Sequence, residues 1–357
     1  MKKVLIVTYS LGLGGSELNA YKITQIMKES TFDWYCLDMS RADIKPMVKA
    51  GFNINQVVNL NYKTWHNLTF LRKLSSVIKK NKYTTVYAVG FMPSLIIALI
   101  KLIFRIQVKL ISTRREMMPW KRLYHIPFIG IVNLVSDSIE TNSRSIYNDL
   151  KENFFLKRKV YYLPNITLSP SKDVKMDVFD EASVYVGTVA NVREAKNIKL
   201  FLAIAKKMIK SNDQLMFVIA GKDNNHLVTN FIATHNLQGR LSIFEDVKYQ
   251  DINKFYSGLD LFLFTSIYEG SPNALFEAVS HGLPVVASDI VATREVIMPN
   301  DNGFLVDLNH PDEFIVKINL ILDNCSLRTA IIENNRRKSL EICGLKDISR
   351  ILNAKFV

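Results

Sequence analysis

Apolar runs of strand length alternate with helical patterns along most of this 357-residue chain, and that alternation restricts its fold more than any other feature. Strands are predicted near 3–8, 33–38, 55–60, 84–89, 107–112, 137–141 and 159–162, with helical stretches between them. From Asn165 to Glu181 the periodicity stops; this Pro-, Ser- and Asp-containing segment reads as an interdomain linker. A second series opens at Ser183-Val184-Tyr185-Val186-Gly187 and continues near 214–220, 241–244, 260–265, 284–288 and 303–306. Residues 311–357 are helical in pattern throughout. Such alternation calls for parallel sheets covered by helices on both faces. Two series joined by one linker predict an α/β protein of two doubly wound domains facing across a cleft. The length agrees, being too great for one typical core.

Bulk properties remove several classes. Hydrophobic residues make up 48% and charged residues 22%, an ordinary globular composition. The three cysteines, Cys36, Cys325 and Cys343, are scattered, which argues against a disulfide framework or a zinc site and fits a reducing compartment. The first residues run into a strand with no signal-peptide pattern, so a cytoplasmic location is the expectation. The most apolar stretch, Leu95 to Phe104, contains Lys101 and is short of the roughly 20 residues that a bilayer needs; a buried helix is expected there. Charge is divided unevenly. Residues 1–170 hold 25 Lys/Arg against 10 Asp/Glu, and residues 171–357 hold 21 against 23. The basic half points to a polyanionic partner, either nucleic acid or an anionic membrane surface.

The most informative motif is Glu269-Gly270-Ser271-Pro272-Asn273 followed by a helical segment carrying Glu277. Leu261-Phe262-Leu263-Phe264 precedes it and Leu283-Pro284-Val285-Val286-Ala287 follows, giving strand, turn, helix, strand. Ser271 suits an N-cap, Pro272 the first helical position, and Gly282 the helix end. Glu269 then stands outside the helix mouth and Glu277 more than one turn inside. Between them lie the first-turn N–H groups, a natural site for ligand oxygens. Two carboxylates and a donor-rich helix end suit a hydroxyl-rich ligand such as a sugar or ribose. The bland alternative is a solvated helix glutamate and a loop carboxylate.

With its flanking Gly-Ser-Pro-Asn and Gly-Leu-Pro-Val-Val, the Glu-seven-Glu spacing resembles the retaining nucleotide-sugar glycosyltransferases of family 4. The resemblance implies the GT-B fold, two Rossmann-like domains with a C-terminal helix returning to the first. An acceptor-binding domain would span residues 1–165 plus about 345–357, and a donor-binding domain 166–344. It implies that Glu277 holds ribose hydroxyls and Glu269 orients the donor sugar. Ser271, Pro272 and the backbone N–H groups from Asn273 through Ala274 to Leu275 would complete the grip. In Gly187-Thr188-Val189-Ala190-Asn191-Val192-Arg193-Glu194-Ala195-Lys196-Asn197, Lys196 and Arg193 would stabilise the departing diphosphate, and Asn191 stands where some relatives place an arginine. Gly14 and Gly15, in the turn after the first strand, resemble the family's diphosphate-facing glycines. Gly221 resembles its strand-end glycine beside the nucleotide, and Phe244 to Val247 falls where relatives often contact the base.

In the first half, relatives often carry an acceptor-side histidine after Ser112-Thr113; here Arg114 and Arg115 stand instead, either binding an acceptor phosphate or simply charging the surface. Asn142 resembles a residue of the acceptor side, or merely flanks a helix cap. No His or Cys set has metal-ligand spacing, so no required metal or other cofactor is expected. The expected donor is a nucleoside diphosphate sugar carrying UDP or GDP. The expected acceptor is a lipid-linked saccharide of a polysaccharide or cell-envelope pathway, met peripherally on the inner face of the cell membrane. Lys79, Lys80, Lys82, Lys101, Arg105, Lys109, Lys121 and Arg122 are the basic residues that would meet anionic lipid. The rivals are a nucleotide-sugar epimerase or hydrolase of the same fold and a nucleic-acid-binding protein. The second needs basic residues interleaved with aromatics on one face, and the acidic-leaning second half argues against it, so no nucleic acid partner is expected.

Overall fold

The computed structural model describes residues 2–11, 15–39, 52–53, 57–60, 67–115, 126–153, 156–157, 159–166, 175–245, 247, 251–342 and 345–356. Two compact units account for the chain. Unit 1 comprises Met1–Ile166 and Gly344–Val357, and unit 2 comprises Thr167–Cys343.

Unit 1 contains strands β1 (Lys2–Thr8), β2 (Ser30–Cys36), β3 (Val57–Asn59), β4 (Thr85–Val89), β5 (Lys109–Arg114), β6 (Ser138–Thr141) and β7 (Val160–Tyr162). They form one parallel sheet in the order β3-β2-β1-β4-β5-β6-β7. Its helices are α1 (Gly15–Ile26), α2 (Leu68–Lys80), α3 (Phe91–Phe104), α4 (Ile126–Val135) and α5 (Arg144–Glu152). Strand side chains alternate between faces. Val4 and Ile6 enter one apolar core, while Leu5 and Val7 enter the other, so both faces are covered and β1 reads as a continuous apolar run. α2 is the ordinary half-buried case. Leu71, Leu74, Ser75 and Ile78 face inward at helical spacing, and Asn67 caps the start by accepting from Phe70 N at 3.1 Å. α3 buries Leu95, Ile96, Ile97, Ala98 and Ile100, as its sequence predicts, but its last turn leaves Leu102 and Ile103 about half exposed, at 50% and 49%.

Unit 2 contains β8 (Val184–Val189), β9 (Leu215–Ala220), β10 (Leu241–Phe244), β11 (Leu261–Phe264), β12 (Val285–Ser288) and β13 (Phe304–Val306). Again every pairing is parallel, in the order β10-β9-β8-β11-β12-β13. The helices are α6 (Ile198–Ile209), α7 (Leu227–His235), α8 (Ile252–Ser257), α9 (Asn273–Ser280), α10 (Val291–Arg294), α11 (Asp312–Asp323) and α12 (Cys325–Ile342). Two cores, one around Phe201, Phe217 and Phe314 and one around Tyr256, Phe262 and Leu275, sandwich the sheet. All the strands read from apolar runs are present, with ends displaced by a few residues.

Each sheet reverses its winding once: between β1 and β4 in unit 1, and between β8 and β11 in unit 2. Loops leaving the C-terminal ends of those strands diverge, and ligands of open α/β sheets bind in the crevice this creates. The Gly-rich turn follows β1, and the Arg193–Lys196 and Glu269 segments follow β8 and β11.

The last helix, α13 (Leu345–Phe356), belongs to unit 1. Ile348, Leu352 and Phe356, spaced four apart, join the core of Val4, Ile6 and Tyr87. Phe356 packs on Tyr87 with ring centroids 5.2 Å apart. Leu352 has no exposed surface. Leu352→Ala is therefore expected to destabilise unit 1 by about 2–4 kcal/mol through lost burial and a cavity. Urea titration followed by hydrogen exchange in β1 and β4 measures this; unchanged protection there would show that the helix contributes little.

Candidate active site in unit 2

The loops after β8 and β11 are tied together by their backbones. Ile267 N donates to Ala195 O at 2.8 Å, and Thr265 Oγ1 donates to the carbonyls of Lys196 and Asn197 at 3.1 and 3.2 Å. Asn197 adopts a left-handed conformation, φ 49°, between a short 3₁₀ turn (Glu194–Lys196) and α6. This bend is one that asparagine tolerates better than most residues. Lys196 thus reaches across the switch point, where its Nζ pairs with Glu269 Oε1 and sits 5.9 Å from the Phe264 ring centroid. Ser266 Oγ also donates to Glu269 Oε1, at 3.2 Å. With side chains only 25% and 15% exposed, the pair is held more firmly than a surface salt bridge. Arg193 stands exposed at the start of the 3₁₀ turn and makes no side-chain bond among the described residues.

The helix mouth differs from the sequence reading by one residue. Pro272 has φ −81° and ψ 83°, too extended for a helical residue, so it is the N-cap and Asn273 the first helical position. Ser271 makes the turn through its carbonyl, which accepts from Asn273 N at 3.0 Å. Leu275 N is likewise spent, on Pro272 O at 3.0 Å. Of the three amides expected to grip a ligand, only that of Ala274 lacks a partner among the described residues. The other end follows expectation. Gly282, at φ +74°, donates to Val279 O and Leu283 N donates to Ala278 O, closing α9 in a Schellman motif.

Glu277 lies in the second turn of α9, partly buried. Tyr256 of α8, itself fully buried, donates its hydroxyl to Glu277 Oε2 at 3.0 Å and stands 3.2 Å from Ala274 O. Burial and the adjacent carboxylate push the Tyr256 phenol well above its ordinary pKa, so it remains a donor. His281 stacks on Tyr256 at 5.0 Å, with Nδ1 2.8 Å from Glu277 O; burial lowers its pKa and favours the neutral ring. Sequence reasoning missed Tyr256 and Ser266, because neither belongs to a motif and each meets its glutamate only in the fold.

Gly221 closes β9 where a Cβ would come within 2.0 Å of Ala190 O, so no larger residue fits without moving that loop. Asn191 Oδ1 accepts from Lys222 N at 2.9 Å, pinning the same two loops. Asp223 caps α7 through the amides of Leu227, Val228 and Thr229, and Glu245 Oε1 accepts from Asp223 N; both therefore have structural work beside the site. Asp246 and Gly14 lie outside the described residues, and Gly15 begins α1.

The unit 1 residues singled out by sequence are engaged internally. Arg115 pairs with Glu140, which has no exposed surface, and donates to Tyr87 Oη at 2.7 Å and to Ser16 O at 3.1 Å. Burial opposes its charge, but the neighbouring Tyr87 and Glu140 outweigh that and hold its pKa above the ordinary value. Arg114 donates to Asn133 Oδ1, and burial lowers its pKa to about 10. Neither arginine is held out to solvent: both are 8% exposed and bonded within the unit's own packing. Asn142 is buried as well, donating to Asn165 Oδ1 at 2.8 Å just before Ser143 caps α5.

Two units, each a doubly wound parallel sheet covered by helices, give the chain a GT-B fold. Residues 172–338, most of unit 2, match the family model of glycosyl transferases group 1. The chain is 31% identical over 160 residues to the Escherichia coli UDP-Gal:alpha-D-GlcNAc-diphosphoundecaprenol alpha-1,3-galactosyltransferase, covering 44% of this chain and 40% of the relative. The chain spans about half the length of further curated relatives, 51% and 46%. In fold it is similar to Anabaena Alr3699/HepE in complex with UDP and glucose, with TM-score 0.80, 15% identity and 99% of each chain covered. It is also similar to S. aureus TarM in complex with UDP and alpha-GlcNAc-glycerol, with TM-score 0.77, 13% identity and 100% of each chain covered.

If Tyr256 aims the Glu277 carboxylate, Tyr256→Phe should weaken nucleotide binding about tenfold or more, the loss of one charge-assisted hydrogen bond. Calorimetric titration with UDP and GDP, beside melting curves, reads this; wild-type affinity for whichever nucleotide binds would show that Glu277 needs no such partner.

Proposed function

We propose that this chain is a retaining glycosyltransferase, moving a sugar from a nucleoside diphosphate sugar to a hydroxyl of a lipid-linked saccharide. The observation that carries this reading is the Lys196–Glu269 pair, set between the switch-point loops of a unit that matches the family model of glycosyl transferases group 1. Glu277 holds the ribose hydroxyls with its carboxylate aimed by Tyr256, and the Ala274 amide faces the donor at the mouth of α9. Glu269 orients the sugar and keeps Lys196 in place beside the diphosphate. As the bond from the anomeric carbon to the diphosphate oxygen breaks, negative charge grows on that oxygen, and Lys196 and Arg193 oppose it. Stabilising such charge is usually the largest catalytic contribution. The acceptor oxygen bonds to the same face of the anomeric carbon and its proton passes to the departing phosphate. UDP or GDP is the donor nucleotide in this reading, and the E. coli relative, named for UDP-Gal and a diphosphoundecaprenol acceptor, supports it.

No metal enters this scheme, because fixed protein cations and a helix end supply the positive field. Among the described residues no group of three or more His, Cys, Asp or Glu is placed to hold a metal ion. With EDTA present, turnover should persist in the wild type and fall about 10²-fold or more in Lys196→Ala. The control Lys199→Ala, on an exposed position of α6, should behave as wild type. Equal loss in the two variants, or activity that returns only with Mg²⁺ or Mn²⁺, would contradict the assignment.

Unit 1 supplies the acceptor side in this proposal, peripherally on the inner face of the membrane. No helix among the described residues is long and apolar enough to cross a bilayer. Leu102, Ile103 and Leu134 are nevertheless exposed, the last at 76%, on the packed helices α3 and α4, with exposed Arg105 following the first two; Lys101 is committed to Asp137 and to Val108 O. Exposed apolar side chains beside a basic residue suit an anionic leaflet, where each cation contributes about 1 kcal/mol. In cosedimentation, wild type should bind vesicles containing anionic lipid and lose binding as salt rises. Ile103→Asp/Leu134→Asp should abolish it; equal recovery on neutral vesicles would refute the membrane role.

A further inference from the structure

At the open edge of the unit 1 sheet lies a groove of about 670 Å³ that shares no residue with the candidate donor site. Its floor is β7, which among the described residues pairs only with β6. Side chains of β7 alternate: Val160 packs with Tyr147 on the α5 side, and Tyr161 joins the core beneath α13. The two helices therefore flank the strand edge from opposite faces of the sheet. From α5 come Arg144 and Tyr147, and from α13 come Arg350 and Lys355. Among the described residues the lining includes three cations and three tyrosines.

Two of the cations, Arg144 and Lys355, are steadied by the rings. The Arg144 guanidinium lies 5.2 Å from the Tyr162 ring centroid, and Lys355 Nζ lies 5.3 Å from that of Tyr161. Tyr161 is fixed in turn beneath the surface, its hydroxyl 3.4 Å from Glu140 Oε2. Cation–π contact holds long flexible side chains near one position, which lowers the ordering cost of a ligand's arrival. Two guanidiniums match the paired oxygens of phosphate or carboxylate. A groove of this size accommodates a small molecule rather than an isolated ion, and tyrosine supplies rigid walls with a polar rim. The excess positive charge of residues 1–170 draws anions toward the whole unit.

We propose that this groove is a binding site for a phosphorylated saccharide, with the phosphate between Arg144 and Arg350 and the sugar against Tyr147 and Tyr162. The site draws on α13, so both segments of the discontinuous unit 1 complete it together. Its existence does not depend on the transfer reaction proposed for unit 2.

The test is saturation-transfer NMR on the full chain with three probes: glucose 1-phosphate, glucose and inorganic phosphate. Glucose 1-phosphate should bind saturably, at least tenfold more tightly than either of the others. Arg144→Ala/Arg350→Ala should weaken it at least tenfold, and Lys196→Ala, in the candidate donor site, should leave this binding unchanged. Arg144→Lys/Arg350→Lys keeps the charge without the planar fork and should also bind more weakly, which guards against a folding defect in the alanine pair. Retained affinity in both double variants, or loss in Lys196→Ala alone, would overturn the proposal. So would inorganic phosphate binding as tightly as the sugar phosphate.

Discussion

Parallel pairing organises this molecule. A parallel strand cannot return to its neighbour through a tight turn; the chain must cross the sheet, and a helix is the economical way to do so. Every observed pairing in both sheets is parallel. All strand ends of one kind therefore lie along one edge, and winding outward in both directions from the middle leaves one gap between diverging loops. In unit 2 that gap falls between β8 and β11, which is where Lys196 and Glu269 meet. The location of the chemistry follows from the connectivity, and the loops need only supply the side chains.

What the loops supply is preorganisation. Lys196 is fixed by a carboxylate, by an aromatic ring and by a backbone tied to the next loop at three points. Glu277 is met by a phenol buried among Phe255, Phe262 and the stacked His281. Neither charge has to find its place when a ligand arrives, which is the condition under which fixed dipoles and charges act most strongly. Gly221 serves the same end by absence, since only hydrogen at that position lets the β8 and β9 loops approach.

The strands were legible because buried parallel strands are continuous apolar runs, and Val4–Val7 or Leu261–Phe264 can be read directly. The end of α9 was legible because Gly282 needs a backbone conformation that other residues resist. Its beginning was read one residue early. Proline fixes φ but leaves ψ free, and at Pro272 ψ is extended. Contacts across long separations were hidden. Lys196 meets Glu269 from 73 residues away, and Tyr256 meets Glu277 from 21, with no local pattern announcing either. Arg114-Arg115 read as an acceptor-phosphate site or as surface charge, because consecutive cations are usually exposed; their burial depends on Glu140 and Asn133, which other elements bring to them.

The return of α13 makes unit 1 discontinuous in sequence, with all of unit 2 inserted between its parts. Thr85 Oγ1 and Phe356 O, 3.5 Å apart, are separated by 271 positions. During synthesis, strands β1 to β7 leave the ribosome long before the helix that covers Tyr87 and Tyr161. Unit 2 is contiguous and can reach its native packing while its predecessor still exposes an apolar face, reversing the usual N-terminal-first order of domain maturation. Closing that face requires joining the most distant parts of the chain, the kind of non-local step that slows folding. Over that interval the nascent protein presents a sticky, partly finished sheet, and its dependence on chaperones should be greatest just before residue 345 emerges.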